Sequence, residues 1–147
     1  SEKKYVEKKK TTDTSFVLGS LGYAKNHKVR VRAFIKTDAG TVSSALTTVS
    51  FRTLPKDIAN VKLSSATTTS QTLKWSKSTG ATSYYVYRYD SSSDSYKRIA
   101  TTAETTYTVK NLKKGTKYSY KIRPVVIEGG KTVLTGNATK AYRFSTK

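Results

Sequence analysis

The stretch TYTVKNLKKGTKYSYKIRPVVIEGGKTV, residues 105–132, alternates bulky apolar side chains with Lys and Arg almost without a break. In an extended chain successive side chains point to opposite faces, so this pattern describes strands with one face in a core and the other in water. A paler version, SFVLGSLGYAKNHKVRVRAFIKTDAGTV, occupies residues 15–42. No segment carries a convincing helical period, and the class this implies is all-β.

An offset of 91 residues superposes the two stretches. It sets Tyr5 on Tyr96, Phe16 on Tyr107, Leu18 on Val109, Leu21 on Leu112, His27 on Tyr118, Val29 on Tyr120 and Val31 on Ile122. Beyond two extra residues in the later stretch, Phe51 falls on Phe144. Repetition at a fixed spacing marks a repeated structural unit. Only the later stretch has a full domain's length of chain ahead of it, so residues 1–54 read as about the last four strands of a domain that begins upstream. Residues 55–147 read as a complete domain, and the boundary falls in TLPKD (53–57), where Pro55 has no amide to give to a ladder.

In the complete unit, strands are predicted over 58–64, 70–76, 83–89, 95–101, 105–110, 116–127 and 131–145, separated by Ser, Thr, Gly and Asp turn signals. Seven such strands make an antiparallel, immunoglobulin-like sandwich. Gly129-Gly130 lacks the helix that would follow a phosphate cradle and fits a hairpin turn.

Trp75 on the second strand, YYVYR (84–88) on the third, and Leu112, Gly115, Thr116 and Tyr118 in LKKGTKY resemble the fibronectin type III signature, in the variant common among secreted and surface proteins of Gram-positive bacteria. The resemblance is complete over 57–147 and partial over 5–54. It implies that Trp75 fills the core centre and that the Tyr118 hydroxyl bonds upstream backbone in a tyrosine corner. It also implies a fold that needs no disulfide. The earlier unit departs from the pattern, with His27 at the corner position and Ala24 in place of the glycine.

Alternation then assigns faces. With Tyr118, Tyr120 and Ile122 inward, Ser119, Lys121, Arg123 and Val125 point outward; with Tyr84 and Val86 inward, Tyr85, Tyr87 and Tyr89 point outward. A row of tyrosines thus lies beside a row of cations. Such a face could hold an anionic or ring-bearing ligand, Tyr85 and Tyr87 stacking while Lys121 and Arg123 take the charge. The reading favoured over it is an ordinary solvent-facing sheet surface.

The chain carries 28 Lys and Arg against 9 Asp and Glu, a net charge of +19 spread over both units, +7 in 1–54 and +12 in 55–147. Polyanions of any kind are attracted to such a field, acidic cell-wall or extracellular polysaccharide included. The basic run KKYVEKKK (3–10) reads as solvated strand before it reads as a polyanion contact.

Catalysis has no foothold. The acids are scattered without a pairing spacing, His27 is the lone histidine, and there is no cysteine, so no enzyme, metal site or cofactor is expected. Neither a specific nucleic-acid partner nor membrane insertion is expected. No apolar h-region appears in SEKKYVEKKK, so an export signal would lie outside these residues. Asn137-Ala138-Thr139 is a glycosylation sequon, of consequence in a host that modifies exported chains.

Three functional readings remain. The first, favoured by the repeat and the resemblance, is a non-catalytic extracellular spacer or display module whose partners are neighbouring domains of its own chain. The second is a polysaccharide or polyanion binder using the Tyr/Lys face. The third is a self-assembling surface subunit completed through the open first unit by edge pairing with a neighbour.

Overall fold

The computed structural model describes residues 5–147; Lys3 and Lys4 of the basic run lie outside the described residues. Twelve strands and no helix are present among them. The second unit is built from β5 (Lys62–Ala66), β6 (Gln71–Lys74), β7 (Ser83–Asp90), β8 (Ser95–Thr102), β9 (Thr106–Val109), β10 (Lys117–Glu128), β11 (Lys131–Thr135) and β12 (Tyr142–Ser145). One sheet runs β5-β6-β9, and the other runs β11-β10-β7-β8 with β12 also paired to β10. All pairings are antiparallel.

The period-two pattern produces the core directly. Leu73, Trp75, Val61 and Val109 pack from one side against Tyr84, Val86, Tyr120 and Ile122 from the other, and Leu112 joins the same cluster. Trp75, only 3% exposed, meets Tyr84 edge-on with ring centroids 5.5 Å apart. The two core phenols are paired: the Tyr84 hydroxyl accepts from the Ser78 amide at 2.9 Å, and the Tyr120 hydroxyl donates to Gln71 Oε1 at 2.8 Å, while Gln71 Nε2 and Trp75 Nε1 are buried without a partner. Burial pushes the Tyr120 phenol up to about 12, because an ion there would lose its water.

The expected single strand over 131–145 is two strands. Ile122 and Pro124 direct their backbone groups at this last segment: Pro124 O accepts from Gly136 N–H at 2.9 Å and Ile122 O from Thr139 N–H at 2.9 Å. Proline has no amide to return, so the ladder loses a rung and the chain detours between β11 and β12. Across the detour the Thr139 hydroxyl accepts the Ile122 N–H at 3.1 Å. The turn at the other end of β11 is tight, with Gly129 at φ 55° and Gly130 at φ 76° between the paired Glu128 and Lys131. Two successive positive φ values favour glycine at both positions of the hairpin.

Residues 5–54 hold β1 (Asn26–Val31), β2 (Phe34–Thr37), β3 (Gly40–Ser43) and β4 (Thr47–Arg52), paired β1-β4 and β2-β3. The pairing His27↔Phe51 matches Tyr118↔Phe144. The hydrogen bonds at the corner match as well. Thr53 Oγ1 donates to Gly22 O and accepts from Lys25 N at 3.0 Å, and Ala24 N donates to Leu54 O at 3.2 Å. Thr146 Oγ1 correspondingly donates to Lys113 O at 2.6 Å and accepts from Thr116 N at 2.9 Å, and Gly115 N donates to Lys147 O at 3.3 Å.

The two units differ in what covers them. No residue from 5 to 54 is buried. The apolar face of β1 and β4, with Val31 61% and Val49 53% exposed, has no second sheet over it among the described residues.

Trp75→Ala should cost about 3–5 kcal/mol, the range for truncating a large buried aromatic, measured by urea denaturation. The milder Tyr118→Phe, which strips the Lys113 amide of its acceptor, should cost about 1–2 kcal/mol. A Trp75→Ala effect within about 0.5 kcal/mol of zero is that of a surface residue and would contradict the core assignment.

Candidate functional site

The outer face of the larger sheet gathers the side chains that could act on a ligand. On β7, Tyr85 stands opposite Arg123 of β10 and Thr101 of β8, and Tyr87 stands between Lys121 of β10 and Arg98 of β8. Tyr89 lies opposite Tyr96. Tyr85, Tyr87, Lys121 and Arg123 are half-buried rather than free, and Tyr89 is exposed.

Each cation leans onto a ring. The Arg98 guanidinium lies 4.4 Å from the Tyr85 centroid, Lys121 Nζ 4.3 Å from that of Tyr96, and Arg123 5.8 Å from that of Tyr87. Tyr85 and Tyr87 meet edge-on at 6.3 Å, and Tyr89 and Tyr96 at 5.4 Å. Quadrupole attraction favours both arrangements, by about 0.5–1 kcal/mol for each exposed cation–ring pair.

The phenol oxygens are also engaged. Tyr96 and Ser119 share a hydrogen bond of 2.8 Å, Tyr85 bonds Thr132, and Tyr89 donates to Asp94. That last bond, with the Asp94 charge, pushes the Tyr89 phenol up. Beside it, the Lys97 ammonium and the Ser92 amide hold the Asp90 carboxyl down at about 2.

Val125 does not point to solvent with Lys121 and Arg123 as the alternation predicts; it is fully buried, at 0% exposure. The Tyr85 hydroxyl reaches Thr132 on β11, beyond the intervening β10, so its ring lies across β10 and covers Val125. Alternation names the side of the sheet, but a neighbouring ring decides whether that side is wet.

Tyr96 and Arg98 are functional neighbours that the sequence reading passed over. The signal was present in SYKRIAT, but a bulge hides the rest of the strand's parity. The register slips between Val86 and Tyr87, so Ile99 is the extra residue opposite Val86–Tyr87. Ile99 and Ala100 both pack on the core, while Tyr96, Arg98 and Thr101 share the outer face.

The remaining candidates are dispersed. Trp75 and Leu112 are core residues, Gly115 is at φ 61° in the corner, and the Tyr118 hydroxyl accepts the Lys113 amide at 2.8 Å. His27 packs on Phe51 at 5.5 Å, and Asn137 Nδ2 donates to Asp57 at 3.1 Å. No group of three His, Cys, Asp or Glu side chains suited to a metal occurs among the described residues. The two best-formed depressions have volumes of about 540 and 420 Å³. Neither of them lies on the tyrosine face: one is lined by Lys62, Lys74 and Trp75, the other by Tyr23, Pro55 and Asn137.

The face as built is a closed lattice of cations and rings. Most of its side chains rest on one another, Arg123 Nε is buried without a hydrogen-bond partner, and the arrangement supplies cross-strand cohesion and a positive field.

The sequence profile of the fibronectin type III domain matches residues 55–139, more than half of the chain. No curated protein matches. Among solved structures, the chain is similar to the crystal structure of FN3tt, 28% identical over 63% of this chain and 94% of that one, with a TM-score of 0.52. A mutant of FN3tt is 26% identical over 62% and 94%, with a TM-score of 0.53. Domains d3-d4 of the rat CD45 extracellular region align over 99% of this chain and 77% of theirs with a TM-score of 0.54, at 16% identity, a likeness of fold alone.

A double-mutant cycle on Lys121→Ser and Tyr96→Ala should return a coupling of about 0.5–1 kcal/mol in stability. A coupling indistinguishable from zero would mean that the two side chains do not rest on one another.

Proposed function

The chain belongs to the fibronectin type III family, a family of generally non-catalytic modules, and from that premise we propose that it is a structural spacer or display module of a longer extracellular or cell-surface protein. The observation that carries this reading is the closed outer face. Tyr85, Tyr87 and Tyr96 each already hold a cation from the same sheet, so a sugar or base stacking on them would compete with those contacts, and Tyr89 is the ring of the row without one. Its partners in this reading are the adjoining domains of its own chain. A Gram-positive bacterial surface is the setting suggested by YYVYR and LKKGTKY. No helix among the described residues is long and apolar enough to cross a membrane.

Residues 1–54 are, in the same reading, the last strands of a preceding domain of this kind, and upstream chain would supply the sheet that covers them. The matched registers and corner bonds at the 91-residue offset support this. So does a second cation–ring pair: Arg30 lies 3.8 Å over Tyr5, as Lys121 lies over Tyr96, both partners 91 residues earlier. The uncovered apolar face of β1 and β4 also favours a second reading, self-association, in which a neighbouring chain supplies that cover.

Binding to polyanions should be electrostatic and unselective. With about 6 phosphate contacts, affinity falls about 10³-fold between 50 and 200 mM salt by counterion release. In a panel of acidic glycans and polyphosphate at about 150 mM salt, near the physiological range, no ligand should persist. A glycan retained there by the native chain but lost on Tyr85→Ala/Tyr87→Ala, with Lys121→Ser/Arg123→Ser as the charge control, would replace the spacer reading with a binding one.

A further inference from the structure

The segment around Pro55 reads in the sequence as a hinge, but in the structure it is fastened on both sides. Pro55 is buried. Lys56 N donates to Thr79 O at 2.9 Å, Ser78 Oγ donates back to Lys56 O, and Asn137 Nδ2 donates to Asp57. On the near side, Arg52 does two things at once. Its Nε donates to Ala24 O at 3.2 Å, and its Nη2 reaches Glu128 Oε1 across the boundary at 2.8 Å. The guanidinium thereby joins the corner of the first unit to the β10–β11 hairpin of the second.

A second contact is steric. Gly80 lies in the loop before β7 at φ 85°, and a Cβ placed on it would come within 2.8 Å of the Ala24 Cβ and 3.2 Å of the Tyr23 carbonyl. The Tyr23–Ala24 peptide therefore rests directly on backbone that has no side chain to hold it off. Lys56 Nζ, 5.9 Å over the Tyr23 ring, lies on the same side. Close approach of this kind sets an angle as well as a distance, because neither surface has a flexible side chain to compress.

We propose that the corner formed by Gly22–Lys25 and Arg52–Leu54 is a docking surface for the loop end of the following fibronectin type III domain, here Ser78–Gly80 and Glu128, and that this contact holds the two units at one fixed angle. The partner it fits is a domain whose loop before the third strand brings a glycine to the Ala24 position and whose last hairpin brings a carboxylate to Arg52. In the tandem reading proposed above, adjoining units then behave as a stiff rod rather than as beads on a flexible tether, with one arginine, bonded to Ala24 O on one side and to Glu128 on the other, acting as the latch.

The chain contains no cysteine, so two can be added as the sole labelling sites. Thr48→Cys on β4 and Lys74→Cys on β6 are both exposed. Pulsed electron–electron distance measurement between spin labels there should give a single narrow distribution for the native sequence. Arg52→Ala should abolish the narrow peak, and Glu128→Ala, which leaves the Arg52–Ala24 bond in place, should broaden it as well. Gly80→Ala, strained in itself at φ 85°, should shift the mean distance at a modest loss in the melting temperature of the second unit. A broad distribution in the native chain overturns the proposal, as does an unchanged distribution in both Arg52→Ala and Gly80→Ala. An unchanged distribution in Glu128→Ala overturns the latch.

Discussion

The second unit depends on the hydrogen-bonding obligations of β10. Twelve residues long, it must satisfy backbone groups on both edges, and it does so with β7 on one side and with β12 and then β11 on the other. Because its partners are fixed, so are its faces. Tyr120 and Ile122 enter the core, and Lys121 and Arg123 enter the lattice of rings outside. Where β10 carries Pro124, the obligation cannot be met in the ordinary way, and the final strand breaks in two at that point.

The outer lattice follows from the same strand. A sheet this basic would suffer from like charges on adjacent strands, and tyrosines on β7 and β8 are interleaved among the cations of β8 and β10. Arg98, Lys121 and Arg123 are thus each set against a ring rather than a carboxylate, which lets the surface stay positive without crowding. The acids instead fasten turns and junctions: Asp90 holds the β7–β8 hairpin, and Glu128 holds Arg52.

Much of this was legible in the sequence because alternation is a direct record of burial. The strands over 83–89, 95–101, 105–110 and 116–127 correspond closely to β7, β8, β9 and β10; Tyr84 and Val86 could be assigned to the core from parity, and Trp75 from the family resemblance. What escaped depends on two strands at once. The Ile99 bulge, the reach of Tyr85 across Val125 and the pairing of Lys121 with Tyr96 are properties of neighbours that one strand's pattern does not encode. The split after Thr135 was also readable in part, since Pro124 was visible, but which neighbour would lose the amide was not. Tyr85 and Tyr87 share a face with Lys121 and Arg123, and that Arg98 and Arg123 lean on the two rings needed three strands in register.

The account places the molecule's stability in the two-layered part, residues 55–147, and treats the two-stranded sheet of β1 and β4 as held in position but with its apolar face uncovered among the described residues. Residue-resolved native-state hydrogen exchange tests this most directly, because protection reports the free energy of local opening. The slowest amides should be those hydrogen-bonded within β6, β7 and β10, around Leu73, Val86, Tyr120 and Ile122, with those of β1 and β4 exchanging much faster. Equal protection in β1–β4 and in β10 would show one cooperative core spanning both units and would contradict the account.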